Sequence, residues 1–495
     1  MPQKIYQGTR WKLFFGKYCG IERFAIDELN KCVQQFVPYL VEVWPSQKYS
    51  PKELFHTVTA GTSDDNRLIA ELVDKGFLNR PKYRGHFSIF SGVSPWNLET
   101  RILAIAGFDE EGVLYGVERA NAILHSEVVA EKLDQKQQAF NQLRDFEISE
   151  YPHIENRGIW TWGYVIYDYK RFLDNMARLR MNMLTIWNDC LPYNIEEIID
   201  YAHQRGIKII LGFHWGWGLD WGQKDFVLTN PQVRDQIKSS VLINWSQNYQ
   251  HIPADGIYFQ TLTEHGNTEM AGQSVASAAC ELVNQIAAEI LNQKPDLYIQ
   301  FGIHATSVLE NYAQLESLDP RVSLVWEDAG VIPYSYNPVT NQQNAGFGKP
   351  TGLDTVEKTI EYSKRLTTIR PGCEFAMVPK GWITLRWKEE FENHGPFILG
   401  QRGDDFIKAR LVERQSRWDE VNRLWLMNFK YAQKFYMELL TSNPSKMTVT
   451  GLIEDGMFEE RIQPCVALFA EMLWNPDRNP DQLISCAYNP YLIRN

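Results

Sequence analysis

Acidic, imidazole and indole side chains stand just after segments that read as β-strands, and this grouping is suited to handling a sugar. RGIWTW ends in Trp160 and Trp162, NMLTIWN runs into Asp189, and KIILGFHW ends in His214 and Trp215. GIYFQTLT leads to Glu264 and His265, YIQFGIHA contains His304, VSLVWED ends in Trp326, Glu327 and Asp328, and EFAMVP leads to Lys380 and Trp382. Pyranose C–H faces stack on aromatic planes while carboxylates, amides and imidazoles take the hydroxyls. Indoles interleaved with carboxylates at one end of a fold would line such a pocket.

Cleaving a glycosidic bond needs one carboxyl to protonate the leaving oxygen and a second to activate water or attack the anomeric carbon. Glu264 is the expected acid, because it ends a strand of apolar and Thr character where burial favours the protonated form. Glu327 and Asp328 are candidates for the second carboxylate. Neighbours on a strand point to opposite sides, so one of the two faces the pocket. Asp189 either orients a sugar hydroxyl or caps the next helix. Arg157 either binds sugar hydroxyls or a substrate carboxylate, or makes a salt bridge at the barrel bottom. His214 and His304 either donate to hydroxyls or are structural. Glu264 and one of Glu327 and Asp328 are expected to share a cleft with Trp187, Trp215 and Trp326 or Trp382.

The elements that position these residues alternate as strand and helix with short connections, the rhythm of parallel βαβ units. Seven strand segments are those above and PFILG is the expected eighth, which predicts a (β/α)8 barrel with its chemistry on the loops after the strands. YKRFLDNMARLR, IEEIIDYAHQRG, NPQVRDQIKSSVLINWSQ, SVASAACELVNQIAAEIL and TVEKTIEYSKRL carry apolar stripes at helical spacing. The expected organisation is a small α/β domain over 1–150, the catalytic barrel over 151–403, and a helical region over 404–495 packed on the barrel. In the first domain ELFHTVTAG, FSIFSG and TRILAIAGF read as strands and DNRLIAELVDKG and GVLYGVERANAIL as helices. EKLDQKQQAF and the turn at Tyr151-Pro152 mark the junction.

A chain of 495 residues with 44% hydrophobic and 22% charged residues is long enough for several cores and has a globular balance. Its net charge of -11 disfavours nucleic acid and anionic membrane surfaces, both of which reward concentrated Lys and Arg. The start MPQKIYQGTRWKLFF has no charged segment followed by a long apolar run, so a cytoplasmic protein is expected. Seven scattered Cys without a CxxC pair read as reduced thiols, and no cofactor or metal is called for. Two other classes remain open. One is a metal-dependent sugar isomerase or epimerase using His214, Glu264, His304 and Glu327 as ligands; the other is a barrel that binds sugar without cleaving it.

DEEGVLYGVERANAIL, then IENRGIW and YKRFLDNMARLRMNMLTIWND, resembles the α-glucuronidase and β-N-acetylhexosaminidase superfamily of glycoside hydrolases. EMLWNPDRNPDQL is similar to the C-terminal helices of the α-glucuronidase branch. The resemblance implies a small α/β domain before a catalytic barrel, with Arg157 as a sugar-binding arginine and Glu264 as the acid after strand four. The hexosaminidase branch places an Asp-Glu pair where this chain has Thr263-Glu264. That departure favours a two-carboxylate mechanism of the α-glucuronidase kind, with inversion, acting on a terminal sugar.

Overall fold

The computed structural model describes residues 10–128, 133–188, 190–215, 228–259, 262–263, 267–327, 353, 356–383, 395–442, 444, 446–454 and 458–493. The amino-terminal part is a six-stranded sheet in the order β2-β1-β3-β5-β4-β6: Trp11–Phe15 (β1), Glu42–Pro45 (β2), His56–Thr62 (β3), Phe87–Val93 (β4), Arg101–Gly107 (β5) and Phe146–Glu150 (β6). β1, β2, β3 and β5 run parallel, and β4 is antiparallel to both β5 and β6. Helices Gly20–Gln34, Arg67–Asp74 and Glu110–Val128 follow β1, β3 and β5. The polar stretch expected to be a junction instead contributes the helix Leu133–Asn141, and β6 follows it at the sheet edge.

The barrel strands are Asn156–Trp162, Met183–Trp187, Lys208–Gly212, Gly256–Phe259, Tyr298–Ile303, Val322–Trp326, Glu374–Met377 and Lys446–Glu454, all parallel. They are short runs rich in Ile, Val, Leu and aromatic residues, as strands covered on both faces require. Side chains fix where the helices start. Asp168 accepts from Lys170 N at 3.0 Å and Arg171 N at 3.1 Å to cap Tyr169–Arg178. Asn230, followed by Pro231, caps Pro231–Asn244 in the same way.

The first seven strands lie where the sequence places them, but the eighth does not. PFILG forms no strand. It is a strap across the loops that follow strands one and two: Phe397 O accepts from Tyr193 N at 3.0 Å, Asn194 exchanges bonds with Leu399 in both directions, and Gly400 O accepts from Tyr169 N at 3.1 Å. Gly400 has φ +68, and a Cβ there would run into Tyr169, so this crossing needs glycine. The closing strand is Lys446–Glu454, reached only after the 38-residue helix Asp404–Thr441. It pairs with strand seven from Glu374↔Lys446 to Met377↔Val449, and with strand one from Asn156↔Thr448 to Trp160↔Leu452. The barrel therefore extends past residue 403 and encloses that helix within its sequence span. Trp382–Ile383 pairs further along the same closing strand.

Beneath the barrel a buried ionic cluster ties the three parts together. Arg180, after the helix Tyr169–Arg178, is hydrogen-bonded to Glu471, and Arg478 reaches Glu471 at 2.6 Å and Glu150 of β6 at 2.7 Å. Arg119 of the amino-terminal domain lies 3.4 Å from Glu150. Trp474 donates to Glu150 at 3.0 Å, with the Arg180 guanidinium 4.4 Å from its ring centroid. Arg180 is held at φ +59, a conformation costing about 1–2 kcal/mol for such a residue, which the cluster offsets. Burial by itself would raise the Glu471 carboxyl, but Arg180, Arg478 and Arg119 outweigh it and hold it at about 2; Glu150 is lowered too, by Arg119, Arg478 and Arg180 acting against burial.

A carboxyl depressed in the folded state gives stability that is complete above the unfolded value of ~4.3. That stability is lost as pH falls toward about 2. The thermal midpoint should therefore drop across that acid window. Glu471→Gln should lose about 3–5 kcal/mol at neutral pH, as expected for breaking a buried pair, and should flatten the acid dependence. Calorimetric scans from pH 7 to pH 2 on both proteins check it; parallel curves would show that the cluster contributes nothing.

Candidate active site

Alternation along each strand decides which side chains reach the barrel interior. Trp160, Trp162, Met183, Trp187, Ile210, Tyr258, Val325, Ala376, Val378 and Leu452 form one buried cluster inside it. Their neighbours Ile159, Ile186, Ile209, Ile257, Leu324 and Met377 belong to the cluster shared with the surrounding helices. Within the interior, Trp160 stacks near Trp187 with ring centroids 6.1 Å apart, and Trp162 meets Trp187 edge-on at 5.7 Å. Tyr258 stands edge-on to both Trp160 and Trp187 at 5.8 Å. The three indoles expected at the rim of strands one and two are thus a packed floor, at most 7% exposed.

On this floor sits Glu327, one residue past strand six and 4% exposed. Val325 is inward, Trp326 outward and Glu327 inward again, which places the carboxyl among groups from three other strands. The Tyr258 hydroxyl of strand four donates to Glu327 Oε1. Oε2 lies 3.3 Å from His304 Nε2, just after strand five, and 3.9 Å from Lys380 Nζ, beyond strand seven. Thr263, at the end of the strand-four segment, accepts from His304 N at 2.9 Å through its Oγ1 and is wholly buried. The residue immediately before Glu264 is therefore fastened to the residue that meets Glu327. A carboxylate facing a hydroxyl, an imidazole and an ammonium is arranged as an acceptor, suited to a base or nucleophile more than to a proton donor.

Several expected site residues lie elsewhere. Arg157 is at the opposite end of the barrel, fully enclosed, with its guanidinium donating to Ile154 O, Glu155 O and Arg180 O at 2.6–3.2 Å. Tyr115 and Trp474 flank it at 5.3 and 5.2 Å. This is the position of the barrel-bottom alternative, with backbone carbonyls in place of a salt bridge. Trp215 stacks flat on Phe259 at 3.5 Å, Trp326 packs on Tyr362 at 5.5 Å, and Trp382 stacks on Trp425 at 4.5 Å. All three are fully buried in the outer cluster. They are outward-facing core residues, so the structure does not bring them to Trp187 and Glu327 as expected. His214 is half-buried, two residues beyond strand three. Asp189, Glu264, His265 and Asp328 lie outside the described residues. Among the described residues, no group of three or more His, Cys, Asp or Glu converges to hold a metal.

Tyr258 and Lys380 were not among the expected site residues. A signal for Tyr258 exists: it is the one hydroxyl in GIYF, at an inward position of a buried strand, where its O–H must find a partner. Lys380 continues the inward register of Ala376 and Val378, a signal that becomes legible once the inward face of EFAMVP is known.

No protein-family model matches the chain, and no curated protein sequence does. Among solved structures it is similar to a GH138 enzyme targeting pectin rhamnogalacturonan II, with a TM-score of 0.50 and 14% identity over 95% of this chain. The chain spans about half of that protein, 51% of its length. Two smaller likenesses are to the endo-β-1,4-mannanase from Thermotoga petrophila and a GH18 chitinase from Pseudoalteromonas aurantia. The first has a TM-score of 0.34 and 11% identity, covering 66% of this chain and 78% of the mannanase. The second has a TM-score of 0.33 and 11% identity, covering 62% of this chain and 98% of the chitinase. At these identities the GH138 likeness carries the fold: a barrel preceded by the α/β domain.

The placement of Arg157 gives a direct check. Arg157→Lys removes the fork that serves three carbonyls and should cost about 2–4 kcal/mol of stability, measured by denaturant unfolding, while leaving the affinity of any ligand held at the Glu327 end within about twofold. Weakened ligand binding with unchanged stability would return this residue to the ligand site.

Proposed function

We propose that the chain is a glycoside hydrolase that removes a terminal sugar by a two-carboxylate mechanism. Glu264 is the general acid, and Glu327 is the carboxylate that activates water. The observation that carries this reading is the setting of Glu327: a buried, inward carboxylate at the carboxyl end of strand six, held by Tyr258, His304 and Lys380 over a floor of indoles. Catalytic groups in this architecture belong at that end. Thr263, bonded to His304, links the strand-four end that carries Glu264 to the same set. The carbohydrate class is further supported by the GH138 enzyme's action on a pectic polysaccharide.

In this mechanism Glu264 protonates the leaving oxygen while Glu327 takes a proton from water as it attacks the anomeric carbon, giving inversion. His304 and Lys380 stabilise the ionised base, and the hydroxyls of the sugar meet the polar groups around it. The same geometry would place a nucleophile if the two carboxyls stand only ~5 Å apart, and the anomer formed first distinguishes the cases.

Aryl glycosides, including glucuronides and N-acetylhexosaminides, together with pectic oligosaccharides, should include one that is hydrolysed. On it Glu327→Gln and Glu264→Gln should each lower kcat about 10²–10⁴-fold with ligand affinity retained. The Glu264 loss should be smaller for leaving groups that need no protonation. NMR of the first product reads its anomeric form. Full activity in Glu327→Gln would end this assignment.

A further inference from the structure

We propose that Tyr258 is a positioning residue for Glu327, able to reach it across barrel strand five because position 302 carries no side chain. The inference rests on the reading of Glu327 as a reacting carboxylate. Tyr258 belongs to strand four and Glu327 follows strand six; strand five, Tyr298–Ile303, pairs with both and separates them. Neighbouring strands stand about 4.8 Å apart, so two groups one strand removed are separated by roughly twice that at the backbone. An inward side chain on the middle strand would ordinarily fill this space.

Gly302 leaves it open. A Cβ there would collide with both Glu327 Oε1 and the Tyr258 hydroxyl, the two atoms that meet in the hydrogen bond. The glycine is required for space and not for backbone conformation, since no left-handed φ is recorded for it. The Tyr258 ring is braced edge-on by Trp160 and Trp187, so its hydroxyl is delivered at a fixed height above the floor. Oε1 of Glu327 is thereby committed to Tyr258. Oε2, facing His304 and Lys380 from beyond the strand ends, is the oxygen presented to the reaction. The indoles of strands one and two thus act on the carboxylate of strand six through one tyrosine.

Tyr258→Phe removes the hydroxyl alone. On the hydrolysed aryl glycoside it should lower kcat about 10–100-fold, the equivalent of one hydrogen bond to a charged group, with KM within about twofold. The acid limb of the pH–rate profile should move to higher pH, because a carboxylate that loses a donor holds its proton more firmly. Gly302→Ala should reproduce that movement. Melting of Tyr258→Phe, Glu327→Ala and the double variant, which needs no turnover, should be non-additive. Wild-type kcat and pH profile in Tyr258→Phe, beside an inactive Glu327→Gln, would overturn the positioning role and leave the hydrolase reading standing. An active Glu327→Gln would fail the hydrolase reading itself. Additive melting would show that the two residues are not coupled.

Discussion

The interior of this molecule exists because one ladder closes it. The segment Lys446–Glu454 returns to lie between strand seven and strand one, with Thr448 opposite Asn156 and Leu452 opposite Trp160. Before that pairing, strands one and seven are open edges, each with a row of unmet amide and carbonyl groups. Once it forms, each strand has one face turned toward a core that side chains must fill. The closing strand also fastens itself at both ends. Thr448 Oγ1 accepts from Asn156 Nδ2 at 2.8 Å and bonds to Glu374, and near the rim Thr161 Oγ1 donates to Ile453 O at 2.7 Å. Strand one is therefore bonded to the closing strand by side chains as well as by backbone, at the bottom and near the top.

Closure gives the alternation of inward and outward residues its force, because a slip of one position would exchange the whole lining of the barrel for its outer surface. Chemically similar tryptophans consequently serve different purposes. Trp160, Trp162 and Trp187 share the inward register with Tyr258, whereas Trp326 points out beside an inward Glu327. Residue type at a strand end does not say which way a side chain turns. The packing of Trp326 on Tyr362 and of Trp382 on Trp425 shows large aromatic surfaces bringing the helices onto the barrel, each indole burying area worth a few kcal/mol.

Much of this was legible in the sequence because period and punctuation carry it. The runs MNMLTIWN and VSLVWED, separated by helices entered through Asn194, Asn230 and Ser274, define parallel units whatever their ligands. The eighth strand was not legible, since PFILG and KMTVTGLIE are comparable apolar runs and only pairing partners distinguish them. PFILG has its backbone groups engaged by Asn194, Tyr193 and Tyr169, a tertiary match that no local pattern reveals. At the site, one of the two adjacent acids had to face inward, and counting from Val325 selects Glu327. Tyr258 escaped because a tyrosine in a strand reads as core until its hydroxyl partner is known, and that partner is 69 residues away.

The two ends of the barrel both hold buried charge, but they hold it differently. Beneath it, Arg157 spends its donors on three backbone carbonyls. The nearby Arg180, Arg478 and Arg119 surround Glu471 and Glu150. Carbonyls do not titrate, and carboxylates held between several guanidinium groups give up their charge only in strong acid, so Glu471 and Glu150 stay ionised near neutrality. Above the floor, Glu327 has as partners a phenol, an imidazole and an ammonium, supplied by separate strands. The three partners sit on separate elements, so small displacements of any one of them change the set of contacts around the carboxylate. Equally buried charge at the two ends thus has different partners: backbone carbonyls and guanidinium groups at the base, and a phenol, an imidazole and an ammonium at the mouth.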